Sequence, residues 1–571
     1  MNIIDISVIL LFTLLVVGCG LSFSSSGKNM KSFFSAGGAL PWWMSGLSLF
    51  MSFFSAGTFV VWGSIAYKHG WVAVTIQWTM CIAGLIIGFF IAPKWQKTRV
   101  LTAAEFIKDR LGIKVQKVYT YIFLAIASFS TGAFLYPVAK IVEVSTGLSI
   151  EHTIIALGIL ILLYTAIGGL WAVIVTDILQ FVVLTAAVLI VVPLSLDKIG
   201  GLGNFVDKAP EGFFALTNSE YSWGFIFAFG LYNLFFIAGN WAYIQRFTSV
   251  DKPKDAKKVG WLFGGLYLIS PVVWMIAPMI YRALNPELAG FENEGAYLLM
   301  SKEVLPIGML GLMLGAMIFA TSSSINTSLN IAAGVITNDV FKHFKPNASQ
   351  KTLVKVGRTA TGLLGIITII VALLIPYMGG VVEVVMTMAA LTGGALFLPP
   401  IWLLFSRYQT GASILTTTIV SLAVNGFFKF ISPEFLSVSL DRAQEMMLGV
   451  GLPVIILAVF ELVLRARKQQ APLYQAYVEA TAARTVAAEL VSNEQHNSDN
   501  TKGIKVIGFG ITAIGAIMLS LAFIADKGQI VVATMGAIIF AIGLAIFFVC
   551  RTKPLQSSPK DDNDTLFNRG S

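Results

Sequence analysis

The sequence predicts an all-α integral membrane protein, and its composition and the length of its apolar runs support this fold class. Of the 571 residues, 56% are hydrophobic and only 12% are charged, and the mean hydropathy is +0.80. This is far above the value of a soluble globular protein. Apolar runs of about 20 residues, enough to cross a hydrocarbon layer roughly 30 Å thick, recur up to residue 550. We count about fifteen predicted spans: 3–23, 41–67, 72–93, 115–146, 152–170, 174–197, 221–247, 258–283, 305–342, 352–377, 380–406, 410–430, 445–466, 505–525 and 530–550.

Basic residues are distributed unevenly between the two sides of the predicted spans. If the N-terminus lies outside, 30 of the 39 Lys and Arg residues fall in cytoplasmic segments, as the positive-inside rule predicts. An odd number of spans then places the C-terminus in the cytoplasm. The net charge of +9 is thus explained by orientation in the membrane. No nucleic-acid partner is expected, because such binding needs a clustered basic patch with interleaved aromatic residues.

Two predicted spans carry small and polar residues at their midpoints. The second contains "GLSLFMSFFSAGTFVVWG" (46–63), and the seventh contains "FAFGLYNLFFIAGNWAYIQR" (227–246). They lie five spans apart, so they occupy matching positions in two five-helix halves of opposite orientation. Interrupted hydrophobic segments at such positions indicate the midplane site of a transporter. The alternative is that Gly and Ser only allow helices to pack closely.

A third polar segment lies inside the ninth predicted span. "FATSSSINTSLN" (319–330) has eight hydroxyl or amide side chains in twelve positions. Its residues Ala320, Ser323, Ser324 and Thr327 follow i, i+3, i+4, i+7 spacing and share one helix face. Such a face offers oxygen ligands to a hard cation such as Na⁺, with further ligands from carbonyls freed in a facing interrupted helix. The alternative is that these hydroxyls bond to carbonyls of their own helix.

The chain resembles the sodium/solute symporter family, which includes bacterial sodium/galactose and sodium/proline carriers. "LYTAIGGLWAVIVTDILQ" (163–180) is similar to a family signature of the form Y-[ST]-x-x-GG-L-x-A followed by TD-x-x-Q. The similarity extends along the chain on both sides of this signature. Its other matching segments, in chain order, are "FFSAGGALPWW" (33–43), "NWAYIQR" (240–246), "SSSINTSLN" (322–330) and "VGRTAT" (356–361). A second signature near 407–413 is only partial.

This resemblance implies a leucine-transporter-type core of five plus five helices related as inverted repeats. One extra N-terminal helix and about four extra C-terminal helices complete about fifteen spans. The expected domains are an N-terminal helix and loop (1–40), two repeat halves (41–200 and 201–408), two added spans (409–466), a cytoplasmic linker (467–504), two last spans (505–551) and a polar tail (552–571).

The resemblance also implies a sodium site and a path for the ion. The family's ligands fall on the carbonyls of Met51, Phe54 and Ala320 and on the hydroxyls of Ser323 and Ser324, which coincides with the polar face described above.

A carboxylate near the end of a predicted span is a second point of similarity. Asp177 aligns with the acidic residue that the family places near the cytoplasmic exit path of sodium. An ionisable group in such a position is a functional candidate. The alternative is that Thr176 and Asp177 cap the following helix.

The family's substrate site is carried over with several replacements. Asn233 matches an Asn that hydrogen-bonds sugar in the galactose carrier, and Phe236 replaces its stacking Tyr. Gln77, Thr58 and Phe53 stand where that carrier has Glu, Gln and Asn. Losing polar partners lowers the affinity for hydroxyls, so galactose itself is not expected, whereas the uncharged Gln77 removes repulsion against a sugar acid. The substrate candidates, each with packing as the alternative, are Thr58, Gln77, Asn233 and Phe236, followed by Phe53 and Asn240.

The expected function is sodium-coupled uptake of a small polar solute across a bacterial-type inner membrane by alternating access. A monosaccharide, amino sugar or sugar acid is the first expectation, and a monocarboxylate or an amino acid is the alternative. No enzymatic activity is expected, because the four His residues are scattered over loops without metal spacing and the sequence contains no G-x-x-x-x-G-K-[ST] motif. A transporter-like sensor is a further alternative.

Two polar segments outside the spans are predicted to be helical. "LTAAEFIKDRLG" (101–112) has a capping-box pattern at Thr102 and Glu105 and an amphipathic distribution, which indicates a short interfacial or loop helix. The linker begins with "LYQAYVEATAARTVAAELV" (473–491), which is helix-prone.

Overall fold

The computed structural model describes residues 1–22, 40–100, 102–164, 170–288, 290–341, 344–345, 347–489 and 494–552. These residues form an all-helical protein. Part of the family signature (165–169) and the tail beyond 552 lie outside the described residues.

The helices of the first half are interrupted where the sequence contains small and polar residues. In chain order they are α1 (Ile3–Leu21), α2 (Trp42–Met51), α3 (Gly63–His69) after a π-helical turn (Thr58–Trp62), α4 (Val72–Ile86), α5 (Ala92–Thr98), α6 (Ala103–Leu111), α7 (Ile113–Thr146), α8 (Ile150–Tyr164) and α9 (Leu170–Ile199).

The second half also contains a broken helix, formed by Trp223–Gly239 and Trp241–Thr248. The helices of this half are α10 (Leu202–Lys208), α11 (Trp223–Gly239), α12 (Trp241–Thr248), α13 (Pro253–Leu284), α14 (Ala296–Val304), α15 (Met309–Val335), α16 (Gln350–Leu374), α17 (Gly380–Thr392) and α18 (Leu398–Leu403).

The C-terminal part adds helices beyond the two halves. They are α19 (Gly411–Gly426), α20 (Ser432–Phe435), α21 (Arg442–Ala466), α22 (Tyr474–Glu489), α23 (Glu494–Ile524) and α24 (Gln529–Thr552).

The predicted number of fifteen spans is not confirmed. Among the described residues, 12 helices are long and apolar enough to cross a membrane, or 13 if α11 and α12, bent by 62°, form one span. The difference has a physical cause, because α2 and α3 are separated by an interruption and α8 is short. Neither contributes an uninterrupted apolar helix of full length, although both predicted segments are helical.

Two groups of helices pack mainly among themselves. The first contains α2, α4, α11 and α13, and the second contains α7, α8, α15 and α16, while α9 contacts members of both. Small residues allow the closest approach in the first group: a Cβ on Gly84 would lie 2.8 Å from the backbone nitrogen of Gly264. Glycine at such crossings lets membrane helices meet backbone to backbone.

The extra N-terminal helix is part of the packed core. Asp5 in α1 is buried, and its Oδ1 accepts hydrogen bonds from the backbone N–H groups of Gly308 and Gly311, at 2.9 and 3.1 Å. These groups lie at the start of α15, where helical N–H donors have no partner within the helix. The carboxylate of α1 therefore caps the helix that carries the polar face.

Candidate functional site

A cavity of about 240 Å³ lies between the two helix groups. The first group contributes three elements: α4, α11 and the interruption that separates α2 from α3. The second group contributes α7 and α15. Aromatic rings form much of its wall: Phe53, Trp62, Phe123, Phe134, Phe229, Tyr232, Phe236, Tyr243, Tyr267 and Phe397. Such a mostly apolar cavity with few polar groups is typical of a small-molecule site.

The interruption after α2 changes the partners of two backbone N–H groups. In a continuous helix Ser55 N–H would donate to the carbonyl of Met51 and Thr58 N–H to that of Phe54. Here Ser55 N–H donates to Oγ1 of Thr58 at 3.2 Å, and Thr58 N–H donates to the carbonyl of Ser55 at 3.0 Å. The carbonyls of Met51 and Phe54 are therefore released from their usual helical donors.

The interruption faces the polar helix α15. Ala56 N–H donates to Oγ1 of Thr321 at 3.2 Å, which joins the two elements directly. Ser323 and Ser324 are half-buried and line the cavity, and Ala320 is buried beside them. The hydroxyl of Ser324 is 3.5 Å from the carbonyl of Ala320.

These groups suit a desolvated Na⁺ chemically. A hard cation takes oxygen ligands, including neutral carbonyls and hydroxyls. The first interruption supplies two carbonyls without helical donors, and α15 supplies two hydroxyls on the facing wall. The 3.5 Å contact between the Ser324 hydroxyl and the Ala320 carbonyl also fits the alternative, in which these hydroxyls bond to carbonyls of their own helix. The side chain of Thr327, the fourth member of the predicted face, lies outside the described side chains.

Asp177 lies inside α9, seven residues after its first residue, so the helix-capping alternative is wrong. The carboxylate is buried, and its Oδ2 accepts a hydrogen bond from Oγ of Ser48 at 2.6 Å. Arg246 Nη2 lies 4.0 Å from the same Oδ2, and Arg246 Nε donates to Oγ of Ser48 at 3.2 Å. Both charged side chains line the cavity.

The count of 30 cytoplasmic basic residues predicted from the sequence includes Arg246, and the structure corrects this prediction because the side chain lies inside the protein. Arg246 ends the predicted seventh span, where positive charge normally marks a loop. In the structure only 4% of its surface is exposed, and its Nη1 is 3.4 Å from the carbonyl of Ala242. The hydrogen bonds to Ser48 and to the backbone, together with Asp177, explain why this charge is held inside the protein.

The second interruption, between α11 and α12, is closed by its own neighbours. Asn240 Oδ1 accepts from the N–H of Ala242 at 3.0 Å and thereby caps α12. Trp95 Nε1 donates to the carbonyl of Ala238 at 2.8 Å. A Cβ on Gly239 would lie 2.1 Å from the carbonyl oxygen of Phe397, so only glycine fits there.

The predicted substrate residues meet in the cavity but differ in their hydrogen bonds. Gln77 is buried in α4, and its Oε1 has no hydrogen-bond partner in the described part of the chain. Asn233 Nδ2 donates to Oγ1 of Thr79 at 2.8 Å. Thr58 donates to the carbonyl of Phe53 within the interruption, so its hydroxyl has a structural partner. Phe236 lies edge-on to Phe53, with ring centroids 6.1 Å apart.

Sequence reasoning missed two residues of the site. Thr321 lies within the quoted polar segment but off the selected face, and its contact with Ala56 depends on a residue 265 positions away. Arg246 is visible as a charge at the end of an apolar span, but only its three-dimensional neighbours show that it points inward.

Comparisons with known proteins agree with this architecture. Residues 33–412 match the family described as Sodium:solute symporter family. A sodium/glucose cotransporter of Vibrio parahaemolyticus is 26% identical over 476 residues, covering 76% of this chain and 86% of the relative. A sodium/sialic acid symporter of Aliivibrio fischeri is 26% identical over 380 residues, covering 62% and 73%.

Solved structures show the same fold. A Na⁺-coupled sialic acid symporter in a substrate-bound outward-open state aligns with a TM-score of 0.67 at 21% identity and covers 81% of this chain and 97% of its own. Mhp1, a nucleobase-cation-symport-1 family transporter, aligns with a TM-score of 0.50 at 14% identity, covering 79% and 98%. Because the family match covers well over half of the sequence and the fold agrees with it, the chain belongs to the sodium/solute symporter family, a family of sodium-coupled, multi-pass membrane transporters.

Proposed function

We propose that this protein carries a small sugar or sugar derivative into the cell together with Na⁺, by alternating access, and catalyses no chemical reaction. The proposal includes a bacterial-type inner membrane with the N-terminus outside, since that orientation puts 29 of the 39 basic residues in cytoplasmic segments once the buried Arg246 is left out. It also includes the division into two inverted repeat halves, 41–200 and 201–408. Their broken helices contribute to the same cavity.

A single observation carries the proposal. One cavity contains Met51 and the first interruption, the hydroxyl-bearing residues Ser323 and Ser324, and the amides of Gln77 and Asn233. An ion bound between the first interruption and the two serine hydroxyls would share cavity walls with a solute bound beside the two amides. Binding of either one would therefore restrict the conformations of the walls that bind the other.

The proposed sodium ligands are the carbonyls of Met51, Phe54 and Ala320 and the hydroxyls of Ser323 and Ser324. Support comes from the two carbonyls that lack their usual helical donors and from the hydroxyls on the facing helix. Asp177 is proposed to attract the ion toward the exit, because its buried carboxylate lines the same cavity.

The cavity walls favour an uncharged ring with hydroxyl groups. Gln77 Oε1 is a buried acceptor that has no partner among the described residues, and a solute hydroxyl would satisfy it. Asn233 and the ring of Phe236 stand nearby on α11, and Phe53 and Asn240 are the outer candidates. Thr58 is retained as a candidate whose hydroxyl also closes the interruption.

Charge distinguishes a neutral sugar from a sugar acid. Among the described residues that line the cavity, Asp177 and Arg246 are the charged ones, and Arg246 already faces Asp177 and Ser48. A solute carboxylate would have to compete for this guanidinium. Relatives named for glucose and for sialic acid represent both classes, and the charge pattern favours the neutral class.

The transport mechanism follows from the cavity walls that the ion and the solute share. With an ion between the first interruption and α15, the two helix groups are held together on one side of the cavity, and the solute fills the remaining space. Movement of the groups against each other exposes the cavity to the other side. Each Na⁺ that crosses 100 mV contributes about 2.3 kcal/mol to accumulation.

The test is uptake by purified protein in liposomes with an inward gradient of Na⁺ or, as control, K⁺. The panel contains neutral sugars, amino sugars, sugar acids, monocarboxylates and amino acids, and thermal stability is measured with the same compounds, because ligands of the folded state raise the melting temperature. We expect Na⁺-dependent uptake of a neutral sugar. Uptake restricted to a carboxylate would replace the substrate class, and a Na⁺-dependent stabilisation without any uptake would favour the sensor alternative.

Asn233→Ala separates the solute from the ion in the same assay. It removes an amide beside the proposed solute but no proposed sodium ligand, so the half-saturation concentration of the solute should rise about tenfold or more. That of Na⁺ should change less. The reverse order would move the substrate site away from α11.

A further inference from the structure

The linker helix α22 lies outside the matched family region, which ends at residue 412. It is nevertheless docked on α6, the short helix that connects the first helix group to α7. Arg484 Nη2 lies 2.6 Å from Oδ2 of Asp109 and 3.0 Å from Oε1 of Glu105, so one guanidinium binds two carboxylates one turn apart on α6.

A second contact lies about two to three turns earlier on α22. The guanidinium of Arg110 lies over the rings of both Tyr474 and Tyr477, at 4.7 and 5.1 Å from their centroids. Arg110 is 2% exposed, and its Nη2 donates to the carbonyl of Ser406 at 2.7 Å. The linker thus covers a buried cation that also ties α6 to the segment after α18.

A line of aromatic contacts leads from α22 to the second interruption. The ring of Tyr477 meets Phe106 edge-on at 5.7 Å, and Phe106 meets Trp95 edge-on at 4.9 Å. Phe106 and Trp95 are fully buried. Trp95 then donates its indole N–H to the carbonyl of Ala238, next to the break between α11 and α12.

We propose that α22 is a clamp that positions the second interruption, with Tyr477 and Arg484 acting through Phe106 and Trp95. This role in transport rests on the proposed function, whereas the mechanical link does not. Docking of α22 keeps Phe106 against Trp95, and Trp95 keeps the carbonyl of Ala238 in place. Loss of docking loosens the break, which is one of the elements that must move when the cavity changes sides.

Hydrogen exchange measures the link without any solute. In Tyr477→Ala and in Arg484→Asp, amide exchange in the peptide covering 236–244 should become about two- to tenfold faster, since one aromatic contact or one ion-pair cluster is lost. Exchange around the first interruption, 51–58, should not change. Tyr477→Phe keeps the ring and should behave as the unmodified protein.

Charge exchange separates a specific clamp from general damage. Asp109→Arg combined with Arg484→Asp rebuilds the ion pair in the opposite sense and should restore exchange to within about twofold. The matched control is Glu479→Arg, which reverses a charge at an exposed position of the same helix and should have no effect. Unchanged exchange at 236–244 in both single variants, or a failure of the double variant to restore it, would overturn the clamp.

Transport is measured on the same variants. The single variants should lower the maximal uptake rate about two- to tenfold. The Na⁺-dependent rise in melting temperature that the solute causes should stay within about twofold of that of the unmodified protein. The double variant should recover the uptake rate. If no compound of the panel is carried, the proposed function fails while the exchange result still decides the clamp. Faster exchange with an unchanged uptake rate would refute the role in transport and keep the link.

Discussion

The two interrupted helices border the same cavity, but their backbone groups have different hydrogen-bond partners. At the first interruption, the N–H groups of Ser55 and Ala56 bond to the hydroxyls of Thr58 and Thr321, which leaves carbonyls without their helical donors. At the second, Asn240 caps the new helix and Trp95 binds the carbonyl of Ala238. The first break is suited to bind a cation, and the second is suited to act as a closed hinge.

The contrast also appears in the space around the glycine of each break. A Cβ on Gly57 would meet nothing closer than Oγ of Ser55 at 3.7 Å, whereas one on Gly239 would lie 2.1 Å from the carbonyl oxygen of Phe397. The first break is open toward the cavity, and the second is packed against the end of the π-helical turn Gly393–Phe397. Similar sequence interruptions therefore have different packing around them.

The largest expected effect comes from Gly239→Ala. Its added methyl group cannot be accommodated without moving the backbone of Phe397, and forced overpacking costs about 1–3 kcal/mol or more. We expect a clearly lower melting temperature and loss of most uptake. Gly57→Ala is the matched variant and should keep the ligand-free melting temperature. Equal destabilisation of both would remove the distinction between the two breaks.

Ser324→Ala tests the first break as an ion site. Removing one proposed hydroxyl ligand should raise the Na⁺ concentration for half-maximal uptake at least tenfold, equivalent to about 1.4 kcal/mol, while the protein stays folded. Ser322→Ala is the control, because the hydroxyl of Ser322 donates to the carbonyl of Ile318 of its own helix at 2.6 Å. If Ser324→Ala does not change the Na⁺ requirement, the hydroxyl of Ser324 is not an ion ligand and only bonds to a carbonyl of its own helix.

The smallest effect is expected for Asn240→Ala. Loss of its cap on α12 should lower the free energy of unfolding by about 1 kcal/mol, and the Na⁺ requirement should not change. Asn240→Asp keeps a capping oxygen and should retain stability. If Asn240→Ala instead weakens solute binding more than stability, the residue is part of the substrate site and the second break is more than a hinge.

Sequence reasoning predicted the elements better than their contacts. Hydropathy located the membrane helices, and the small and polar residues in 46–63 and 227–246 located both breaks. The count of fifteen spans was not confirmed, because α8 and the interrupted span of α2 and α3 do not qualify as full-length apolar helices. The proposed ligands and substrate residues remain predictions, although the cavity brings together most of them.

The sequence by itself determined that this is a multi-pass helical transporter with two broken helices and one polar helix face, since hydropathy and helical periodicity are properties of neighbouring residues. Only the tertiary structure decided that Arg246 turns inward to Asp177, that Thr321 holds the first break and that α22 docks on α6. These contacts join residues far apart in the chain, and their energies depend on which helix faces meet, which no local pattern specifies.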